Sequence, residues 1–317
     1  MENPPKAVIF GCKGLQLSEE EVLFFQQHKP MGFILFKRNC ENKEQVRNLV
    51  EFFKFTTNNP NALILIDQEG GRVSRLKEPT WREFPPAGDF ANMIDSQSLD
   101  SAKVALYNNY QEICADLTDL GINVNCAPTL DLLIDGCHGI IGDRALGKTP
   151  EQVSELGRVV CNAHLENDVL PVIKHIPGHG RAMCDSHEDL PIVNESLDTL
   201  KQTDFAPFKS LSDAPLAMTA HIVYTQIDAE NTATMSSKII KIIRDYIGFK
   251  GLLMTDDLSM KALSGSFTEK TRKSLEAGCD LILHCNGDIS EMVEIAENTP
   301  HMSDKLMTKY KNIMRLI

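Results

Sequence analysis

The chain has 317 residues, of which 42% are hydrophobic and 24% are charged. This composition is typical of a folded globular protein with a sizeable core, and it excludes a disordered chain. The formal net charge is −12, and the lysines and arginines form no local cluster. We therefore expect neither nucleic acid nor an anionic membrane surface as a partner.

The N-terminus lacks the basic stretch and the apolar run of a signal peptide, and no apolar segment approaches the roughly 18 residues of a membrane span. These features predict a cytoplasmic protein. Nine cysteines are scattered along the chain without a CxxC pair, which predicts reduced thiols and no metal site. We expect no cofactor, and we expect a monomer because no long exposed apolar repeat requires a partner.

Eight short apolar runs, rich in β-branched residues, alternate with longer segments of helical periodicity, which is the pattern of repeated βα units. The predicted strands cover residues 6–10, 32–36, 62–66, 122–126, 170–175, 216–221, 251–255 and 280–285. Helices are predicted from residues 18, 43, 102 and 150, over 197–211, 236–246, 268–276 and 289–297, and over about 303–317. Ser18 and Glu21 form the sequence pattern of a capping box, and Pro150 suits a first helical turn.

This alternation predicts an α/β fold, a (β/α)8 TIM barrel, with residues 1–317 forming a single catalytic domain. A doubly wound open sheet is the alternative, because a sequence does not show whether a sheet closes. In a barrel the active site lies at the carboxyl ends of the strands. Charged and polar residues follow the apolar runs at many of these ends: Asp67, Asp131, Lys174, His175, His221, Asp256, Asp257, His284 and Asn286.

The segment 174–191, KHIPGHGRAMCDSHEDLP, follows the fifth predicted strand and reads as a loop. Asp185 and His187 are two residues apart, so an extended chain places both on one side. The carboxylate favours the protonated imidazole, which equips His187 to donate and then accept a proton. The alternative is an exposed pair without a role. We expect this loop to close over a ligand, with Gly178 and Gly180 as candidate hinges.

Two carboxylates, Asp256 and Asp257, stand where the seventh predicted strand ends. Asp257 suits the N-cap of the following helix, which leaves Asp256 to point into the barrel mouth as a nucleophile or an electrostatic stabiliser. The alternative is that both residues cap or are solvated.

Two further loops supply arginines. Asp67, Arg72 and Arg75 lie around a Gly-Gly pair that is not a phosphate loop, because it lacks the GxxxxGK[ST] pattern. A carboxylate and a guanidinium close in the chain suit recognition of vicinal hydroxyls and a carbonyl. Arg144 lies in the loop GIIGDRALGKTP. The alternatives are a surface ion pair in the first loop and a surface arginine in the second.

Taken together, these segments resemble glycoside hydrolase family 3, and in particular its bacterial cytoplasmic β-N-acetylhexosaminidases of peptidoglycan recycling. The resemblance rests on IDQEGGRVSR, APTLD, IGDRALGKTP, KHIPGHG, DSH and TDDLSM, which occur in the family's order from about Val8 to Asn286. It implies that Asp256 is the nucleophile and that His187, oriented by Asp185, is the acid/base. It also implies that the terminal N-acetylglucosamine is bound by Asp67, Arg75, Arg144, Lys174 and His175.

The implied activity is that of a retaining exo-β-N-acetylglucosaminidase acting on peptidoglycan fragments, N-acetylglucosaminyl-1,6-anhydro-muramic acid with or without peptide, through a covalent glycosyl-enzyme. Phosphorolysis, with phosphate in place of water, is one alternative. A non-catalytic sugar-binding barrel is another. Arg181 departs from the family pattern, because a small or acidic residue is commoner after GHG.

Overall fold

Eight parallel strands close into a barrel in the computed structural model, which describes residues 4–136, 139–182 and 190–317. With a separate pair, the described residues form ten strands: β1 (Lys6–Phe10), β2 (Pro30–Leu35), β3 (Leu63–Ile66), β4 (Val124–Asn125), β5 (Leu170–Ile176), β6 (Ile192–Val193), β7 (Leu216–Thr219), β8 (Val223–Tyr224), β9 (Leu252–Asp257) and β10 (Leu281–His284). The order around the barrel is β1-β10-β9-β7-β5-β4-β3-β2, and β6 pairs with β8 separately. The predicted barrel is confirmed, and the open sheet is wrong.

Helices surround the barrel and connect its strands. They are α1 (Glu19–His28), α2 (Lys43–Thr57), α3 (Ala87–Ser96), α4 (Leu99–Asp119), α5 (Pro150–Leu165), α6 (Leu197–Gln202), α7 (Ala206–Ser210), α8 (Ser237–Ile242), α9 (Phe267–Ala277), α10 (Ile289–Glu297) and α11 (Asp304–Ile313). The capping box of Ser18 and Glu21 is present at α1. No helix among the described residues is long and apolar enough to cross a membrane.

Two parts of the chain differ from the helices that the sequence predicts. The predicted helix over 197–211 is divided into α6 and α7. Helix α3 was not predicted, since Gly88 lies in its first turn and lowers its helix propensity. Gly88 is needed there, because a Cβ atom would lie 2.9 Å from the carbonyl oxygen of Asp143. Helix α3 therefore packs directly on the turn that carries Arg144.

Alternating side chains of the strands build two apolar layers. Along β3, Leu63 and Leu65 face the barrel interior, whereas Ile64 and Ile66 face the surrounding helices. Tyr310 and Ile313 of α11 join the interior cluster. The polar residues at the strand ends lie at the opposite, carboxyl-terminal face of the barrel, where barrel enzymes have their active sites. The seven cysteines among the described residues are free thiols.

Helix α2 offers a matched pair of phenylalanines to test this packing. Phe53 is fully buried and stacks on Phe33 of β2 with ring centroids 4.5 Å apart, whereas Phe55 is 79% exposed. We expect Phe53→Ala to lower the free energy of unfolding by about 3–5 kcal/mol, because it leaves a cavity. Phe55→Ala should change it by less than about 0.5 kcal/mol. Urea denaturation of both variants measures this, and equal losses would contradict the assigned layers.

Candidate active site

The Lys174 ammonium group lies between two carboxylates at the carboxyl end of the barrel. Its Nζ atom is 2.8 Å from Oδ1 of Asp67, which follows β3, and 2.7 Å from Oε1 of Glu69. The Lys174 side chain is only 3% exposed. An ion in such a position is stable only when partners compensate its lost hydration. The lysine therefore fixes the loop that begins at Asp67 against the end of β5.

Two arginines complete this ionic network. Arg75 donates from Nη2 to Oδ2 of Asp67 over 3.0 Å. Arg144 binds Glu69 through two hydrogen bonds, from Nε to Oε2 at 2.9 Å and from Nη2 to Oε1 at 2.8 Å. The structure thus brings together four of the residues predicted to bind sugar. Glu69 lies within the motif IDQEGG and joins Lys174 to Arg144, a role that the sequence does not predict.

The network holds its members in their charged forms. Burial opposes ionisation of Glu69, but Arg144 and Lys174 outweigh it and lower its pKa from 4.5 to about 2. The pKa of Asp67 is likewise far below its usual range, because Lys174 and Arg75 outweigh its burial. Burial disfavours the Lys174 ammonium, but Asp67 and Glu69 raise its pKa. Three cations and two carboxylates therefore face one another at neutral pH.

Gln68 positions the backbone that carries Arg75. Its Oε1 atom accepts hydrogen bonds from the backbone N–H groups of Arg75 at 2.9 Å and Leu76 at 3.1 Å. Its own backbone N–H donates to Oδ1 of Asn125 on β4 over 3.0 Å. The guanidinium of Arg75 also lies 4.9 Å from the centre of the Phe36 ring. These contacts hold Arg75 over Asp67 without a helix or strand to support it.

His175, the last of the predicted sugar-binding residues, lies beside the network. Its Nδ1 atom is 2.7 Å from Oδ2 of Asp131, whose side chain is fully buried. The sequence indicates only that Asp131 follows a predicted strand. The structure pairs it with His175.

Asp256 and Asp257 have different surroundings at the end of β9. Asp257 accepts hydrogen bonds at Oδ1 from the backbone N–H groups of Ser259 at 3.0 Å and Cys285 at 3.2 Å. Its predicted role as a helix N-cap is wrong, because α9 begins at Phe267 and is capped by Ser266. Asp257 instead ties a turn to the end of β10. Asp256 is half-buried, and its Oδ1 accepts from the backbone N–H of Asp257 at 2.8 Å.

His221, which follows the end of β7, supports this end of β9. Its Nε2 atom is 3.0 Å from the carbonyl oxygen of Asp257, and its Nδ1 atom is 2.7 Å from Oγ1 of Thr234. Burial lowers the pKa of His221, although the charge of Asp256 opposes that effect. The neutral imidazole therefore donates from Nε2 to the carbonyl and accepts the hydroxyl of Thr234 at Nδ1.

Other strand-end residues do not join the network. His284 is buried, with Nε2 3.2 Å from Oε2 of Glu291, and Asn286 donates to the same carboxylate. Arg72 pairs with the exposed Asp143 at 2.9 Å. No group of three His, Cys, Asp or Glu side chains within residues 4–136, 139–182 and 190–317 is placed to hold a metal ion.

The base of the loop after β5 is closely packed. A Cβ atom on Gly180 would lie 2.3 Å from the carbonyl oxygen of Leu132, and one on Gly178 would lie 2.9 Å from Cβ of Asp204. Both glycines therefore belong to a fixed base, which does not favour them as hinges. Arg181 donates from Nε to Asp204 at 2.7 Å. Asp185 and His187 lie outside the described residues.

Glu69 allows the ionic network to be tested through stability. We expect Glu69→Gln to lower the free energy of unfolding by about 3–5 kcal/mol at pH 7, because buried Arg144 loses its carboxylate partner and Lys174 keeps only Asp67. The control Asp143→Asn breaks an ion pair with 43% and 46% exposed side chains and should cost less than about 1 kcal/mol.

The stabilising effect that Glu69→Gln removes should depend on pH. The folded pKa of Glu69 is depressed, so its stabilising effect is present above its ordinary value of 4.5 and is lost as the pH falls through about 2. The difference in unfolding free energy between the wild type and Glu69→Gln should therefore shrink below pH 4.5. Urea denaturation from pH 7 downwards measures it. A difference that stays constant with pH would contradict the assigned charges.

Known proteins are similar to this chain over nearly its whole length. Residues 8–316 match the glycosyl hydrolase family 3 N-terminal domain. A β-hexosaminidase from Neisseria gonorrhoeae (strain NCCP11945) is 34% identical over 287 residues, which cover 89% of this chain and 79% of that protein. A β-hexosaminidase from Bordetella avium is 31% identical over 309 residues, which cover 96% and 87%. The crystal structure of NagZ from Neisseria gonorrhoeae in complex with N-trifluoroacetyl-D-glucosamine has 32% identity and a TM-score of 0.90, with 99% of this chain and 90% of that chain covered.

Proposed function

Because the chain belongs to glycoside hydrolase family 3, we propose that this β-N-acetylhexosaminidase is a retaining exo-β-N-acetylglucosaminidase of peptidoglycan fragments. The observation that carries the proposal is the ionic network around Lys174, which lies at the same end of the barrel as Asp256. A solved relative that binds an N-acetylglucosamine analogue adds support. The substrate is N-acetylglucosaminyl-1,6-anhydro-muramic acid, with or without its peptide.

The network supplies the donors and acceptors that a sugar ring requires. Asp67 and Lys174 form one carboxylate and ammonium pair, and Arg75 extends it with a guanidinium. Carboxylate oxygens accept from sugar hydroxyls, and the cations donate to hydroxyl and carbonyl oxygens. His175 adds an imidazole beside them. In the proposal these side chains hold the terminal N-acetylglucosamine, and their fixed positions reduce the entropy lost on binding.

Asp256 is the proposed nucleophile. Its neighbour Asp257 is engaged by Ser259 and by the backbone of Cys285, so it serves the strand end. Burial raises the pKa of the Cys126 and Cys285 thiols, and the negative charges of Asp67 and Asp256 raise it further. Attack by Asp256 on the anomeric carbon forms a covalent glycosyl-enzyme, and water then displaces the enzyme with net retention.

His187, paired with Asp185, is the proposed acid/base. As an imidazolium it protonates the departing glycosidic oxygen, and as a neutral imidazole it accepts a proton from the attacking water. A carboxylic acid can donate a proton only if its surroundings keep it neutral, for example by burial beside a second carboxylate. An imidazolium donates from its charged form and has no such requirement. This assignment rests on the sequence segment DSH at residues 185–187.

The nucleophile is tested by Asp256→Ala. We expect release of p-nitrophenol from p-nitrophenyl N-acetyl-β-glucosaminide to fall by roughly 10⁴-fold or more, because the covalent route is lost. Asp280→Asn is a matched control, since this carboxylate binds Arg244 and Lys309 at the amino-terminal end of β10. The control should keep wild-type kcat. Full activity in the Asp256 variant would rule out its role.

The acid/base is tested by leaving-group dependence. His187→Ala should impair hydrolysis of chitobiose by roughly tenfold more than hydrolysis of the p-nitrophenyl substrate, because only the poor leaving group needs protonation. Initial rates with both substrates measure this. Equal losses with the two leaving groups would argue against general acid catalysis by His187. A rate that rises with phosphate and yields sugar 1-phosphate would favour phosphorolysis.

The same proposal includes the anhydro-muramic acid aglycone, a cytoplasmic location and a monomeric protein in which residues 1–317 form a single domain. Rates on N-acetylglucosaminyl-anhydro-muramoyl fragments, chitobiose and β-glucosides rank the substrates directly. The muramoyl fragments should give the highest kcat/KM. A preference for glucosides would overturn the proposed substrate class.

A further inference from the structure

Asp131 collects three N–H donors from one short stretch of chain. Its Oδ2 atom lies 2.7 Å from Nδ1 of His175, and the backbone N–H of His175 lies 3.3 Å from both carboxylate oxygens. The backbone N–H of His179 donates to Oδ1 over 2.6 Å. The Asp131 side chain is fully buried, so these groups replace its hydration. Nothing in the sequence places His175 and Asp131 together, because 44 residues separate them.

The carboxylate is itself rigidly placed. The segment after β4 pairs with the end of β5, since Leu130 donates its backbone N–H to the Lys174 carbonyl at 2.7 Å. The backbone N–H of Lys174 in turn donates to the Pro128 carbonyl at 3.1 Å. Asp131 therefore cannot move independently of His175. An orienting partner that is fixed in this way restricts the ring it binds.

The contact determines how His175 presents its imidazole. An ionised carboxylate only accepts hydrogen bonds, so the His175 Nδ1 atom carries a proton when the ring is neutral and when it is charged. Burial opposes ionisation of Asp131, but its interactions with His175 and His179 outweigh burial and keep the pKa of Asp131 below its usual value. The Nε2 atom is then the one left to interact with a ligand.

We infer that Asp131 is a positioning residue for sugar binding, which fixes the tautomer and orientation of His175 so that Nε2 faces the substrate. The inference rests on the proposed function, in which His175 contacts the terminal sugar. Asp131 acts through His175 and does not touch the substrate. A residue that only stabilised the fold would leave the tautomer and the substrate affinity unchanged.

The tautomer of His175 can be measured in the wild-type protein, and variants are needed only to assign its signal and to test Asp131. Long-range ¹H–¹⁵N correlation spectra distinguish Nδ1–H from Nε2–H imidazoles, and the His175 signal is the one that disappears in His175→Gln. We expect the neutral Nδ1–H form in the wild type and a shift towards Nε2–H in Asp131→Asn. A wild-type His175 with an unprotonated Nδ1 would overturn the inference, even if the Asp131 variant fails to fold.

A double-mutant cycle tests the route of the effect. Asp131→Asn should lower kcat/KM on p-nitrophenyl N-acetyl-β-glucosaminide roughly 10- to 100-fold, mainly through KM, because a supporting partner of a binding residue is lost. In a His175→Ala background the same change should cost less than about threefold. Equal losses in both backgrounds would overturn the inference.

Asp280→Asn again serves as the control, because it removes a partly buried carboxylate at the other end of the barrel. It should lower the melting temperature without changing the tautomer of His175 or KM. An equal rise of KM in this control would also overturn the inference, because the effect would then follow from general destabilisation. A wild type without hydrolase activity would refute the proposed function alone, since the tautomer measurement does not depend on turnover.

Discussion

The buried ammonium group of Lys174 is the interaction on which the mouth of the barrel depends. Removing a lysine and two carboxylates from water costs several kcal/mol for each ion unless each is paired with good geometry. Here Asp67 and Glu69 both lie within hydrogen-bonding distance of Nζ, and each carboxylate is shared with an arginine. Loss of Glu69 would leave Arg144 without its carboxylate partner, and loss of Asp67 would do the same to Arg75. The pairing of these charges therefore holds the loops that carry Asp67 and Arg144 against the end of β5.

Carboxylates at this end of the barrel fall into two kinds. Asp67 and Glu69 accept from cationic side chains, so they keep charged groups together at the mouth of the barrel. Asp131 and Asp257 accept largely from backbone N–H groups and tie one strand end to the next segment. The first kind therefore joins the side chains of different loops, and the second kind fixes the backbone at the strand ends. Asp256 is half-buried beside Asp257 at the end of β9, and its Oδ1 atom accepts a hydrogen bond from the backbone N–H of Asp257.

The fold could be predicted because each strand is a short apolar run and each helix has its own periodicity. Closure of the barrel could not, since it depends on the pairing of β1 with β10, in which Ile9 lies opposite Leu283 from the far end of the chain. Helix α3 was missed because Gly88 serves a contact with a distant loop and not helix formation. The N-cap role of Asp257 was wrong because a turn follows β9 before the next helix begins.

Four members of the ionic network could be named from the sequence because each lies in a recognisable motif: Asp67, Arg75, Arg144 and Lys174. Glu69 was missed because its partner Arg144 lies 75 residues away, so that its role appears only when the loops come together. Asp131 could be placed at a strand end but not paired with His175. Arg181, which departs from the family pattern, is engaged by Asp204 at the base of the loop. Local sequence therefore reveals which residues are charged, and the fold determines which charges meet.

Covalent trapping of the glycosyl-enzyme tests the central claim most directly. An activated fluorosugar analogue of N-acetylglucosamine should accumulate the intermediate, and peptide mass spectrometry then locates the labelled residue. The account predicts a single label on Asp256, released on incubation with an acceptor. A label on another carboxylate, or turnover that inverts the anomeric centre without any covalent adduct, would contradict it.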